Sequence, residues 1–322
     1  MADLVPIPIA PIVHAALDDL EDEARGYVAA SRSPATMRAY ASDWRAFTTW
    51  CDNHAVTALP ADPTTVALYM TDLARTAKTA TIRRRMSSIS VAHQVAGLAS
   101  PTADILVRST WSGIRRTNGV AQIAKNALLT DDIRAMVETL PESLIGRRDA
   151  CLILLGFASA LRRSELVALD VAEVTETNDG LVITVNRSKT DQEGEGRQIG
   201  IPYGSHPITC PVRTYRAWIE ASEIDTGALF RPIDRHGRLG AERLSDRAVA
   251  IVVKRTAQAV GLDPNLVAGH SLRSGMATSA ARAGATEAEI MSQTGHKSLP
   301  VLRRYIRRGS LFRDNAAAML GL

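Results

Sequence analysis

Six side chains that contribute little to a hydrophobic core recur in order along the second half of the sequence: Arg162, Lys189, His270, Arg273, His296 and Tyr305. They lie in Ala-Leu-Arg-Arg-Ser-Glu-Leu (160–166), Arg-Ser-Lys-Thr (187–190), Gly-His-Ser-Leu-Arg-Ser-Gly (269–275) and Gly-His-Lys-Ser-Leu-Pro-Val-Leu-Arg-Arg-Tyr-Ile-Arg (295–307). Two guanidiniums, an ammonium, two imidazoles and a phenol together suit the holding and attack of one phosphodiester. A phosphodiester repels nucleophiles by its own charge, and forked arginines can bind both non-bridging oxygens and stabilise the pentacoordinate state. The departing hydroxyl needs a proton, which a lysine can give. A phenol with a pKa near ~10 needs neighbouring positive charge before it can attack.

Each residue alone has a plainer reading. Arg162 follows an apolar run and could be a surface residue. Glu165, three positions on and on the same helical face, could be its ion-pair partner. Lys189 sits in a polar stretch where lysines are usually solvated. His270 and Arg273, spaced i, i+3, share one helix turn; this is not a zinc spacing, and no cysteine or glutamate cluster accompanies it. Tyr305 could be a half-buried core aromatic, although Arg303, Arg304, Arg307 and Arg308 surround it. The order of all six carries more weight than any one.

The elements that must position these groups can be read from caps and breakers. A helix is expected over about 12–30. Ser33-Pro34 opens a second helix to about Asn53, Asp62-Pro63 a third, Thr79 a fourth ending near Gly97, and Ser100-Pro101 a fifth to about Asn118-Gly119. Thr130 reads as the cap of the next helix, and a buried helix follows at about 147–160. The stretch 181–201 alternates Val-Ile-Thr-Val, turns through glycines and returns as Gln-Ile-Gly-Ile, a small antiparallel sheet. Helices are expected again at about 211–222, 245–260, 270–283, 286–294, 298–307 and 311–320.

At 322 residues, with 46% hydrophobic content and a mean hydropathy of −0.03, the chain is long enough for two globular domains. Its net charge of +4 is uneven. Residues 1–25 carry six acids and one arginine, whereas residues 26–125 carry twelve Lys/Arg, five Asp and no Glu. A basic segment of that size fits a polyanion binder and equally a solvated basic surface. Cys51, Cys151 and Cys210 are odd in number and far apart, and two lie in apolar helical contexts. This suggests free thiols in a reducing compartment. The longest apolar run, Ala150–Leu161, is too short to span a bilayer, and no signal peptide is evident. A cytoplasmic protein is expected.

On the motifs quoted, the chain resembles the tyrosine recombinases of the phage integrase family, and within them the Cre-like members, from about residue 30 to the end. The resemblance implies a mainly α fold: a helical core-binding (SAM-like) domain at 26–118 after a tail at 1–25, then a linker at 119–127. A mixed α/β, mostly helical catalytic domain with a small antiparallel sheet follows at 128–308. A C-terminal helix at 309–322 would dock on a neighbouring protomer. It makes Arg162 and Arg273 the phosphate clamp, His270 the general acid/base and His296 a second phosphate-binding ring, a position where Cre-like members carry Trp. Lys189, on the hairpin, would be the proton donor, Tyr305 the nucleophile, and Glu165 a support. It further implies DNA contacts by Thr36, Arg38, Arg83, Arg84, Arg85 and Arg247, with Arg84 and Arg247 reading bases.

The implied partner is double-stranded DNA with inverted-repeat half-sites, gripped in a two-domain clamp by two protomers per site and four per synapse, with no metal or other cofactor and no membrane. The implied activity is site-specific cleavage and rejoining through a 3′-phosphotyrosyl intermediate. Its rivals are a type IB topoisomerase or telomere resolvase, and a DNA-binding regulator that has lost catalysis. The short length argues against the first two, and the six filled positions argue against the last.

Overall fold

The computed structural model describes residues 32–119, 125–186 and 196–296, with 298–300, 302, 303 and 305 and the isolated positions 20, 23, 26, 27 and 320. Lys189, most of the helix expected over 12–30, residues 120–124 of the expected linker, and the helix expected from 309 (Leu320 excepted) lie outside the described residues. The chain divides into two compact units, Met1–Gln122 and Ile123–Leu322. The described residues are mostly helical with one small sheet.

The first unit holds helices α1 (Pro34–Asn53), α2 (Pro63–Leu73), α3 (Thr79–Val95) and α4 (Ile105–Asn118). Ser33 and Asp62 cap α1 and α2 by accepting from Thr36 N and Thr64 N, as the Ser-Pro and Asp-Pro pairs predict. Gly97, at φ +71°, follows the end of α3. The fifth expected helix begins later than Ser100-Pro101. Pro101–Ala103 forms a single 3₁₀ turn, and Asp104 caps α4 by accepting from Leu106 N at 2.7 Å. Asp104, immediately before the helix, makes the cap bond that Ser100 does not make, so the proline opens only the short turn. Helix α1 packs on α3 and α2 on α4, closing over Phe47, Val66, Met70, Ile82 and Ile89.

The second unit begins with α5 (Thr130–Glu138), α6 (Leu144–Ala158) and α7 (Arg163–Ala168). Thr130 is the first helical residue rather than the cap. Leu129 takes the cap position because the Asp132 carboxylate accepts its N–H at 2.8 Å. Helix α6 starts three residues before the expected 147, at a Ser143 cap. It is the buried centre of the unit, packed by α8 (Pro211–Ser222) and α10 (His270–Ala283). Cys151 lies in it, wholly buried, and Cys51 and Cys210 are buried free thiols as well.

Strands β1 (Val174–Thr177), β2 (Gly180–Val185) and β3 (Arg197–Pro202) form an antiparallel sheet in the order β1-β2-β3. The alternation at 181–201 anticipates β2 and β3. Strand β1, only four residues with one buried, carries too little pattern to be seen in advance. Val185 pairs with Arg197 where β2 and β3 reach the 187–195 connection. Helices α9 (Asp246–Ala259) and α11 (Glu287–Thr294) complete the unit, α11 with a Thr286–Glu289 capping box. Gly275 lets α10 lie against the backbone of Leu128, where a Cβ would stand 1.8 Å from the Leu128 carbonyl oxygen. Among the described residues no helix is long and apolar enough to cross a membrane.

Candidate active site

Five of the six expected residues are described, and all five belong to the second unit. The chain leaves α6 through Ala160, which holds φ +51°. That left-handed turn, unusual for a residue with a Cβ, swings Arg162 to the N-cap of α7. Glu165 accepts from both Arg162 N and Arg162 Nη1, and its side chain is only 4% exposed. The pair is therefore a buried brace fixing the direction of Arg162 rather than a solvated surface pair.

Arg273, one turn into α10, is 1% exposed. Its Nη1 donates to Ala160 O at 2.6 Å, so the residue that turns the chain toward Arg162 is also held by the second arginine. Arg273 Nη2 is buried and has no hydrogen-bond partner. Burial, joined by repulsion from Arg162 and Arg197, lowers the Arg273 pKa to about 10 against the pull of Glu165. A buried donor held among like charges fits a site that takes an anion.

His270 opens α10, and its Nε2 lies 2.7 Å from Tyr305 Oη. Although His270 keeps exposed surface, the protein crowding its ring lowers its pKa, with Arg273 and Arg162 adding to the effect. Thr294 donates its hydroxyl to Ile290 O at 2.6 Å and so accepts from His296 Nδ1 at 2.7 Å. The second ring nitrogen of His296, Nε2, is left for another partner. Burial first, then Arg273, Arg162, His270 and Arg197, lower the His296 pKa to about 4. The His296 and Tyr305 rings lie 5.7 Å apart, centre to centre.

Tyr305 is half-buried against a small cluster containing Ala277, Ile290 and Leu302. The ring packs as the core-aromatic reading expects, and the hydroxyl reaches His270. Arg303 forms a two-pronged pair with Glu287 at 2.9 and 3.1 Å, fastening the tyrosine segment to the start of α11. Sequence reading missed Arg197, a half-buried arginine at the start of β3 whose charge is felt by Arg273 and His296. It belongs to no recognisable motif. Among the described residues no cluster of three or more His, Cys, Asp or Glu is placed to hold a metal.

In the first unit, the three arginines of α3 differ sharply. Asp43, nearly buried, accepts from Arg84 Nε at 2.7 Å and Arg84 Nη2 at 3.0 Å. Arg85 is half-buried, donates to Tyr69 Oη at 2.7 Å and also faces Asp43. Arg83 is exposed. Asp43 occupies the Nε/Nη2 edge of Arg84, so the Nη1/Nη2 edge is the one open to a further forked contact. Arg38 and Arg247 are exposed; Thr36 is half-buried with its hydroxyl 2.9 Å from Ser33 Oγ.

Comparison with known proteins adds a relationship to this geometry. Residues 126–310 match the phage integrase family, and residues 27–97 match the phage integrase N-terminal SAM-like domain. The chain is 44% identical over 290 residues to an integrase/recombinase XerD homolog of Selenomonas ruminantium, covering 89% of this chain and 85% of that protein. It is 25% identical over 293 residues to recombinase Cre of Escherichia phage P1, covering 84% and 83%. The Cre likeness is therefore real but weaker than that to the XerD homolog. Among solved structures, XerH recombinase in a post-cleavage complex with palindromic difH aligns with a TM-score of 0.66 at 15% identity, over 93% of this chain and 84% of that one. A lambda integrase tetramer bound to a Holliday junction aligns with a TM-score of 0.60 at 18% identity, over 93% and 79%.

Proposed function

The chain belongs to the phage integrase family and is a tyrosine-type site-specific recombinase, and from that premise we propose how its residues cut and rejoin DNA. Tyr305 Oη attacks the scissile phosphorus, the bond to the 5′ oxygen breaks, and a 3′-phosphotyrosyl ester forms. The phenolic proton passes to His270 Nε2, the acceptor already at hydrogen-bond distance. Arg162 and Arg273 donate to the non-bridging oxygens, Glu165 holding the former in place; His296, neutral in the free protein, donates through Nε2 once the phosphate anion favours its protonated form. Lys189 gives the departing 5′ oxygen its proton, a role that rests on the resemblance. The 5′ hydroxyl of a second duplex then reverses the step. One phosphoester replaces another, so the chemistry calls for neither a metal nor a nucleotide.

The observation that carries this reading is the His270–Tyr305 contact beside a buried Arg273 Nη2 that lacks an acceptor. In the DNA complex, Arg84, oriented by Asp43, and Arg247 read base edges. Arg83 and Arg85 lie nearer the backbone, and Thr36 and Arg38 face the groove. Residues 26–118 serve as the core-binding domain and 128–308 as the catalytic domain. Two protomers occupy inverted half-sites and four form the synapse, acting on DNA in the cytoplasm. A cleft of about 550 Å³ in the second unit, lined by Ile133, Leu154, Phe157, Met276 and Ile290, supports such assembly. It offers an apolar receptacle for the terminal segment of a neighbouring copy, which bears Leu311, Phe312, Ala316, Met319 and Leu320. The test is a two-site DNA substrate incubated with EDTA and no nucleotide. Recombinant product supports the reading. Relaxation of supercoils without exchange, or an absolute magnesium requirement, overturns it.

A further inference from the structure

Among the described residues, Arg197 is the one strong cation at the site that no motif announces. It opens β3 directly after Gly196, which holds φ +69°, and its guanidinium reaches the last turn of α11. Nη1 donates to Gln293 O at 3.1 Å and, at the limit of hydrogen-bonding distance, to Ser292 O at 3.5 Å. Gly295 sits against this group at φ +64°. A Cβ there would stand 2.7 Å from Nη1 and 2.8 Å from Cζ, so the glycine makes room for the guanidinium as well as ending the helix. On the other side, Nη2 is buried and has no hydrogen-bond partner.

That arrangement is unfavourable as it stands. Burying a guanidinium is costly, and leaving one of its donors unmatched adds to the cost. Burial, with repulsion from Arg162, lowers the Arg197 pKa against the pull of Glu165, and Arg197 in turn depresses both Arg273 and His296. Glu165 does not resolve the excess charge, because its two oxygens already accept from Arg162 N and Arg162 Nη1. Two guanidiniums of this cluster, Arg273 and Arg197, therefore keep a buried Nη2 without an acceptor.

We propose that Arg197 is a further phosphate-contacting residue: Nη2 donates to a non-bridging oxygen of the bound phosphodiester while Nη1 ties β3 to the end of α11 that leads into His296. The inference rests on the recombinase reading and extends it. It also gives the β2–β3 hairpin, which carries Lys189, a fixed point on the phosphate.

The test compares cleavage rates of full-length wild type, Arg197→Ala and Arg197→Lys on a half-site suicide substrate. One version carries a normal scissile phosphate, the other a methylphosphonate that lacks one charged non-bridging oxygen. Arg197→Ala is expected to slow cleavage of the phosphate by roughly 100–1000-fold, the range for loss of one oxyanion donor. On the methylphosphonate its deficit should shrink several-fold, and Arg197→Lys should fall between. Equal deficits on both substrates, or no deficit on either, would overturn the proposal, since a purely structural role is blind to the oxygen removed. If Arg197→Ala no longer binds the half-site, the same ratio read on Arg197→Lys decides. Should wild type cleave neither substrate, the recombinase reading fails rather than the role of Arg197.

Discussion

Tyr305 Oη lies 2.7 Å from His270 Nε2, and in the proposed mechanism, where that nitrogen accepts the phenolic proton, this contact sets a pH dependence. Protonating His270 removes the acceptor. Its ordinary pKa of 6.5 is lowered by burial and by Arg273 and Arg162, so the neutral ring persists to lower pH. Cleavage at subsaturating DNA, which reports the free enzyme, should therefore be fully present above pH 6.5 and lost as pH falls through the lowered value. An acid limb centred above pH 6.5 would show that His270 is not the acceptor. The residue types at the site were legible because their chemistry is scarce elsewhere: His270, Arg273, His296 and Tyr305 announce themselves. Arg197 did not, since an arginine after a glycine at a strand start looks like any solvated turn residue. The brace from Glu165 to Arg162 was visible as a spacing, but its burial was not, because burial depends on α7 packing into the unit.

Helices legible in advance were those whose caps are strong and local, as at Ser33, Asp62 and Thr286. Two helix starts differ from the expectation through aspartates: Asp104 rather than Ser100 caps α4, and Asp132, accepting the Leu129 N–H, makes Leu129 rather than Thr130 the N-cap of α5. Strand β1 escaped notice because four residues with one buried position have no readable period. On α3, the sequence offered three equivalent arginines, and only tertiary contact distinguishes them. Asp43 holds Arg84 by two hydrogen bonds and so fixes which of its edges stays open. Asp43→Asn should lower discrimination between cognate and base-substituted sites by roughly 1–3 kcal/mol at one position per half-site, and Arg84→Ala should do the same. The double variant should lose little more, because the two residues act as a unit. Binding competition with scrambled DNA measures this. If Asp43→Asn weakens cognate and scrambled DNA equally, Arg84 is not the reader that Asp43 orients.

Across the whole molecule, length and uneven charge pointed to two parts: a basic stretch over 26–125 and a longer, nearly balanced one. Composition could not reveal the apolar cleft of the second unit, which is assembled from α5, α6, α10, α11 and β3 and has no sequence signature of its own. Its occupant is the terminal segment of a neighbouring copy on the proposed reading, and that of its own chain on the alternative. Deleting residues 310–322 separates the two possibilities in a gel-shift titration combined with thermal melting. Docking between copies predicts unchanged affinity for one half-site, lost cooperativity on paired half-sites and an unchanged melting temperature. A lower melting temperature of the isolated protein, with cooperativity kept, would place the segment on its own unit instead.

The central claim is that Tyr305 becomes covalently joined to DNA. It is tested most directly by trapping full-length protein on a nicked suicide substrate with EDTA present, then locating the DNA-bearing peptide by mass spectrometry. Wild type should give a covalent adduct on the peptide containing Tyr305, and Tyr305→Phe should bind the same DNA with similar affinity and give none. An adduct formed by Tyr305→Phe, or one mapped to another residue of the wild type, would contradict the account.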